Sequence, residues 1–365
     1  MIVKDAIHGN IPVGEFEQKI IDSPDFQRLR RIKQLGVTYL VYPGATHTRF
    51  EHSLGTMQVA SRICERLVIE GEERERVRLY ALLHDVGHAA FSHESERALS
   101  RFFGDHEKIG RKKMESGPLA DILLERFSKE EIASLGAGVD EVITGGDVGA
   151  DRMDYLLRDA HHIGVSYGMV DVDRVLHTVL LDGDELVVDR RGLEATESLL
   201  VGRFLMFSTV YLHKTVRIGS AMLNRGIISA IEDGMGPEEF LATDDIVLEK
   251  MLGTENGGKY AKALLERNLY KQAYSVEGAL VDPERAAEEL SSECGCEVLI
   301  DNPPVLTKPL DIKVKIEGKL EGIMEVSDLV RSLFLAEEKR KKTLILCPKE
   351  KREEVGKAAE SYFRQ

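Results

Sequence analysis

The sequence predicts a mainly α-helical protein with short β hairpins and a small α/β region at its C-terminal end. Three observations predict it. Apolar residues recur at helical spacing through most of the chain, as over about residues 49–68 and 73–85. β-type runs are few and short, near residues 1–13, 37–42, 180–190, 311–316 and 343–348. Between the helical stretches stand start and stop signals such as Ser23-Pro24, Gly36, Pro43-Gly44 and Gly87.

Taken in order, residues 1–13 read as short extended pieces around the turn His8-Gly9-Asn10. Pro24 at a first helical position opens a helix through FQRLRRIKQL that stops at Gly36. Val37–Tyr42 is rich in β-formers and reads as a short strand closed by Pro43-Gly44. Helices follow over about 49–68, 73–85, 92–103, 105–115, 118–127 and 150–161. LLDGDELVVD reads as a hairpin turning at Asp182-Gly183. A long helical region is expected over 193–233, with acidic helices continuing to about residue 300. DIKVKI (311–316) alternates as a strand, TLILCP reads as a buried strand, and a helix over 349–362 ends the chain. Asp301-Asn302-Pro303-Pro304 marks a soft boundary, dividing a core of residues 1–300 from a small region of residues 301–365.

Composition bounds the function. With 365 residues, 43% hydrophobic and 31% charged, the chain can bury a large core and reads as globular rather than disordered. Lys+Arg 49 against Asp+Glu 63 gives a net charge of −14, which disfavours non-specific nucleic-acid binding but leaves room for a local basic pocket. No run approaches the roughly 20 apolar residues of a membrane span, and MIVKDAIHGN lacks a signal-peptide pattern. Four cysteines make no disulfide framework, and Cys294-x-Cys296 lacks the second pair a zinc site needs, so the cytoplasm is the expected compartment.

The most informative feature is the pair His84-Asp85 in LYALLHDVGHAAFSHE, two metal-ligand side chains at the end of an apolar helix. Six of the eleven histidines fall between residues 47 and 106, which sets that pair in company. His52, His84, Asp85 and Asp151 together offer two imidazoles and two carboxylates, a set suited to Mg, Mn, Fe, Zn, Ni or Co. Neighbouring residues diverge by about 100° on a helix, so His84 and Asp85 reach one ion only near a helix end, which Gly87 supplies. The alternative is that each residue is a cap or a paired buried polar group. His88, at i+4 from His84, shares its face, and His93 and His106 follow as imidazoles that titrate in the range of general acids and bases. Asp151, Tyr155 and Asp159 recur at i, i+4 and i+8 with Arg152 adjacent, and Arg49 precedes His52 by three residues, where its fork can meet phosphate.

HTRFEHSLG, LLHDVGHAAFSH and DRMDYLLRDAHHIG resemble the HD-domain deoxynucleoside triphosphate triphosphohydrolases, especially the group that includes the animal enzyme with an N-terminal SAM domain. DAIHGNI, IIDSPDFQRLRRIKQLG, YLHKTV and RNLYKQ agree with it. The resemblance runs from about residue 3 to 275, weakens to about 335, is absent in the last 30 residues, and includes no SAM domain. It implies an HD-domain helical core and places the four metal ligands on His52, His84, Asp85 and Asp151. It implies hydrolysis of a deoxynucleoside triphosphate to the deoxynucleoside and inorganic triphosphate. His106 would be the general acid or nucleophile-side partner, with His93 and Glu96 beside it; Glu96 stands where the animal enzyme has Asp. Arg49, Arg152 and Tyr155 would hold the phosphates, Gln34, Leu35 and Asp159 would read the sugar, and His88 would also bind substrate. Tyr211 would exclude a 2′-hydroxyl, with Arg203 also in the pocket. Arg152 stands where the family has a Lys, which turns a point charge into a fork, and Phe207 stands where the animal enzyme has a His.

The resemblance also implies an activating-nucleotide site for GTP or a dNTP. Asp22, Gln27 and Arg30 would read guanine, and Arg174, Arg267 and Lys271 match basic residues between subunits. Arg191 stands for a Lys, and Lys4 replaces an Asn. Such a site requires a homo-oligomer, a dimer or tetramer. Two rivals stay open: an HD phosphohydrolase acting on a monophosphate, ribonucleotide or signalling nucleotide, and a non-catalytic nucleotide-binding regulator.

Overall fold

The apolar stripe near residue 50 becomes the helix Arg49–Leu67, which packs against the helices Gly71–Leu83 and Ala150–Ile163. Its start is fixed by a capping box: Glu51 Oε2 accepts the Thr48 backbone N–H at 2.7 Å. Its end is Val68, in the left-handed region at φ 58°. This helical trio and the first-strand hairpin share one core that includes Ile11, Phe26, Leu54, Leu82 and Leu156. A computed structural model describes residues 1–168, 170–303 and 311–364, and the architecture is mainly α. The Pro304 end of the expected boundary lies outside the described residues.

The hairpin Ile2–Asp5 with Gly9–Pro12 opens the chain. Helices His93–Phe103 and His106–Glu115 follow the His84-Asp85 segment; Asp105 Oδ1 caps the second by accepting Lys108 N–H at 2.9 Å, which makes His106 its first residue. The helix Lys214–Glu232 centres a second core with Asp244–Leu252 and Gly257–Leu265. The third core lies between Pro283–Cys294, Arg352–Phe363 and a sheet, and it holds Cys294 and Cys347 as free thiols. Among the described residues no helix is long and apolar enough to cross a membrane.

Three expectations are corrected. Val37–Tyr42 is not a strand: Thr38–Leu40 is a 3-10 turn, with Leu40 N–H on Val37 O at 3.0 Å. β-formers alone do not make a strand without a partner, and this segment instead packs on Gly219 of a helix. The helix begun at Pro24 does not reach Gly36; Pro24–Gln27 passes into a 3-10 turn, Arg28–Arg31, and then an extended Ile32. Lys271–Glu277, within the expected acidic helices, is a strand. It pairs antiparallel with Lys342–Cys347, which pairs in turn with Leu299–Asp301. A second sheet runs Val179–Asp182, Glu185–Asp189, Lys313–Ile316, Lys319–Gly322, its middle pair parallel. Strands from both sides of residue 300 therefore share both sheets. The helical region expected over 193–233 consists of two helices, Leu193–Met206 and Lys214–Glu232, with the π turn Phe207–Tyr211 between them.

Candidate active site

Three helix ends meet at the His84-Asp85 pair. His52 lies in the first turns of Arg49–Leu67, His84 follows the last residue of Gly71–Leu83, and Asp151 sits in the first turn of Ala150–Ile163. His52 Nε2 stands 3.0 Å from Asp151 Oδ1 and 3.5 Å from Asp85 Oδ2. His84 Nε2 stands 3.4 Å from Asp85 Oδ1 and 3.8 Å from Asp151 Oδ1. Bonds of about 2.1 Å would separate adjacent donors by about 3.0 Å at right angles and about 3.4 Å in a tetrahedron. The donor spacings bracket those values.

The nitrogens themselves make the same point. His52 Nδ1 meets Asp154 Oδ2 at 2.8 Å and His84 Nδ1 meets Ala81 O at 2.9 Å, which leaves both Nε2 atoms as the inward-facing ones. Neither buried Nε2 has an aligned hydrogen-bond partner among the described residues. Burial opposes charge on His52, yet the carboxylates of Asp151, Asp154 and Asp85 push its pKa up to about 10. A site this anionic draws a cation. His52, His84 and Asp85 each offer one ligand atom, all within 4.8 Å of one another, a set that fits a divalent ion, and Asp151 adjoins them through Oδ1, 3.0 Å from His52 Nε2.

Arg49 is 3% exposed and directs Nη1 to Asp85 Oδ2 at 2.6 Å, Nε to Ser92 Oγ at 2.9 Å and Nη2 to Gln34 O at 3.4 Å. Burial works against ionisation of Asp85, but Arg49 and the neighbouring imidazoles hold its carboxyl well below the usual range. The Gln34 side chain is buried, and its Oε1 has no partner among the described residues. Leu35 is half-buried beside it.

A second group adjoins the first. His88 Nε2 lies 3.2 Å from Asp85 Oδ1, and the His88 ring stacks on His106 with centroids 4.0 Å apart. Glu96 joins the other two imidazoles: Oε1 meets His106 Nδ1 at 2.9 Å and Oε2 meets His93 Nδ1 at 3.0 Å. The His106 backbone N–H also donates to Glu96 Oε1, at 2.8 Å. Burial opposes a charge on His106, but Glu96 and Asp85 outweigh it and raise its pKa. Burial and Arg49 hold His88 well below its ordinary value. One imidazole is thus disposed to carry a proton and the one stacked on it to stay neutral.

On Ala150–Ile163, Arg152 pairs with Asp147 at 2.5 Å. Asp159 receives His47 Nε2 at 2.7 Å and the Tyr211 hydroxyl at 2.6 Å. Burial raises the Tyr155 and Tyr211 hydroxyls, and the carboxylates of Asp159 and Asp151 add to the rise. The π turn presents Tyr211, whose ring meets Phe207 edge-on at 4.9 Å. Arg203 lies over Phe207 and 3.3 Å from Glu337.

The remaining expected residues fall in three groups that no hydrogen bond or ion pair joins among the described residues. Gln27 accepts Arg30 Nε at 2.9 Å, Arg30 covers the Phe50 ring, and Asp22 is exposed nearby. Arg174 donates to Arg191 O at 3.0 Å, and Arg191 pairs with Asp189. Arg267 and Lys271 line one cavity of about 220 Å³ with Lys214 and Arg352. Reasoning from sequence missed Asp154, His8, Arg158 and His47. Asp154 and Arg158 sit inside DRMDYLLRDAHHIG, where their spacing to Asp151 is a usable signal; His8 sits inside DAIHGNI, but no spacing along the chain links it to the metal ligands.

Comparison with known proteins extends this geometry. The HD domain family matches residues 49–159 and the HD associated region matches residues 170–364. An uncharacterized protein of Methanocaldococcus jannaschii is 38% identical, covering 97% of this chain and 80% of its own length. The Dictyostelium discoideum deoxynucleoside triphosphate triphosphohydrolase SAMHD1 homolog is 28% identical over 74% of this chain and 59% of itself. Human deoxynucleoside triphosphate triphosphohydrolase SAMHD1 is 28% identical over 89% of this chain and 62% of itself. Among solved structures, a hypothetical protein from Aquifex aeolicus superposes with a TM-score of 0.83 at 33% identity, over 98% of this chain and 99% of its own. A phosphohydrolase from Bacteroides thetaiotaomicron follows at 0.77 and 25% identity, over 96% and 100%.

Proposed function

From the premise that this chain belongs to the HD-domain phosphohydrolase family and carries its HD associated region, we propose that it hydrolyses deoxynucleoside triphosphates to the deoxynucleoside and inorganic triphosphate. The observation that carries the reading is the convergence of His52, His84, Asp85 and Asp151 beside a Glu96-held pair of histidines. The likeness to enzymes named as deoxynucleoside triphosphate triphosphohydrolases supports the choice of substrate.

A divalent ion held by those four side chains would polarise a phosphoryl oxygen and lower the pKa of bound water. The chain's own groups do the rest. Arg152 and Tyr155, with Arg49 behind Asp85, hold the phosphates; Gln34, Leu35 and Asp159 hold the sugar. Tyr211, fixed by Asp159, closes the space a 2′-hydroxyl would need. Water attacks the α-phosphorus, the bond from phosphorus to the 5′-oxygen breaks, and His106 hands its proton to that oxygen; the water keeps one proton on the new P–OH and releases the other to solvent, from which His106 is reprotonated. Glu96 keeps His106 oriented and charged for this, with His93 on its other oxygen.

Nucleotide activation is part of the proposal. Lys214, Arg267, Lys271 and Arg352 make a cationic cavity that suits a triphosphate, and the separation of the three groups suits sites completed by other subunits. We take GTP or a dNTP as the activator, acting through a homo-oligomer, with the cationic cavity supporting the triphosphate part of that choice.

The experiment is product analysis over a panel of dNTPs, NTPs and monophosphates, with and without GTP, in Mg, Mn or Co. Deoxynucleoside plus triphosphate is expected. Monophosphate plus pyrophosphate would mean that a different bond breaks. Turnover confined to another nucleotide class would favour that rival, and binding without turnover would favour a regulator.

A further inference from the structure

Asp154 has no solvent exposure, and each of its oxygens accepts two hydrogen bonds. Oδ2 takes His52 Nδ1 at 2.8 Å and Arg158 Nε at 2.9 Å. Oδ1 takes His8 Nε2 at 2.6 Å and Arg158 Nη2 at 2.9 Å. Arg158, equally buried, continues to Asp5 through Nη1 at 2.9 Å and Nη2 at 3.3 Å. Asp5 Oδ1 in turn accepts the backbone N–H groups of Ile7 and His8, at 2.9 and 2.8 Å. The turn between Ile2–Asp5 and Gly9–Pro12 is therefore pinned to the same carboxylate that holds His52. Gly55 makes the approach feasible: a Cβ there would fall 1.9 Å from Asp154 Oδ1 and 2.3 Å from Arg158 Nη2.

We propose that Asp154 is a positioning residue for the metal centre and that His8 couples the N-terminal turn to it. The inference rests on His52 being a metal ligand. An ionised carboxylate surrounded by four donors can only accept, so His52 keeps its proton at Nδ1 and presents Nε2 towards Asp85 and Asp151. The coupling runs both ways. An ion that fixes His52 also fixes Asp154 and the turn that His8 anchors, and loosening that turn weakens the ion's hold. The N-terminal hairpin is thus a handle on metal affinity that acts on His52 through Asp154.

The test is Mn²⁺ binding to the full-length protein, followed by electron paramagnetic resonance, with backbone hydrogen exchange across residues 2–12 in the presence and absence of Mn²⁺. In Asp154→Asn either orientation of the amide sets its NH₂ against an Arg158 N–H, and affinity is expected to fall about 10–100-fold. His8→Ala should lose affinity in the same direction, and His8→Gln, which restores a side-chain N–H donor, should recover it. Mn²⁺ should slow exchange across residues 2–12 in the wild type and not in His8→Ala. Folded Asp154→Asn or His8→Ala protein that binds Mn²⁺ as the wild type does overturns the relay. If Asp154→Asn does not fold, the His8 pair and the exchange measurement decide. Loss of Mn²⁺ in Asp85→Asn with none in the His8 and Asp154 variants rejects the relay alone; a wild type that binds no Mn²⁺ rejects the metal reading and the relay with it.

Discussion

At the residue scale, the chemistry divides between groups that would hold an ion and groups that would move a proton. Asp85 faces Arg49, His52, His84 and His88 at once, so Asp85→Asn should lose bound metal and turnover together. Metal analysis beside an activity assay checks this; turnover without metal would remove Asp85 from the mechanism. Glu96 has a different task. Its carboxylate raises the pKa of His106 and fixes its ring. A general acid works while protonated, so activity falls as pH rises through the His106 pKa. In Glu96→Gln that falling limb should move to lower pH, with turnover about 100-fold lower and metal content unchanged. An unmoved limb in the pH–rate profile would assign it to another group.

At the scale of the element, two close approaches decide where the second group of histidines stands. A Cβ on Gly87 would fall 2.0 Å from His106 O and 2.3 Å from Gly110 N. Gly87, read from the sequence as a helix end, thus also seats the helix His106–Glu115 against the metal segment. Gly87→Ala should push that helix away and lower kcat by tenfold or more, since about 1 Å of misplacement can cost 10²-fold, while metal affinity holds. Equal kcat would show that the contact is slack. Helix His93–Phe103 is tied at its start by Glu94, whose Oε2 accepts the Val37 N–H at 2.7 Å. Burial pushes the Glu94 carboxyl up to about 8 from its ordinary 4.5. The folded protein therefore binds this proton where the unfolded chain has released it, and stability falls as pH rises from about 4.5 to about 8. In Glu94→Gln this part of the decline should vanish, read as the change in Tm between pH 5 and pH 8.5.

At the scale of the whole molecule, the last 30 residues, expected from the sequence to lie outside the resemblance, fall within the HD associated region up to residue 364 and build part of the core. Lys342–Cys347 is the middle strand of its sheet, and Leu344 and Leu346 belong to the core around Met222 and Phe240. Arg217 ties its helix to this sheet through Lys342 O at 2.8 Å and Asp301. Leu346 is fully buried, so Leu346→Ala should cost about 2–5 kcal/mol, measured as a lower denaturant midpoint. A midpoint shift under about 0.5 kcal/mol would mean the strand is dispensable to the core.

The sequence by itself determined the helical class, most helix positions and the candidate ligands. Those rest on local quantities: a 3.6-residue apolar period, caps such as Asp105, and ligand types crowded into residues 47–106. Tertiary structure decided what depends on a distant partner. Lys271–Glu277 is a strand because Lys342–Cys347 lies beside it, and Val37–Tyr42 is not because no strand among the described residues does. The same holds within the site. His52 and Asp151 are 3.0 Å apart across about 100 residues of chain, and His8 reaches Asp154 across a longer one. Residue type announces that a side chain can bind a cation or a proton. Which atom faces inward, and what holds it there, depends on hydrogen bonds that form only when the three helix ends and the N-terminal turn come together.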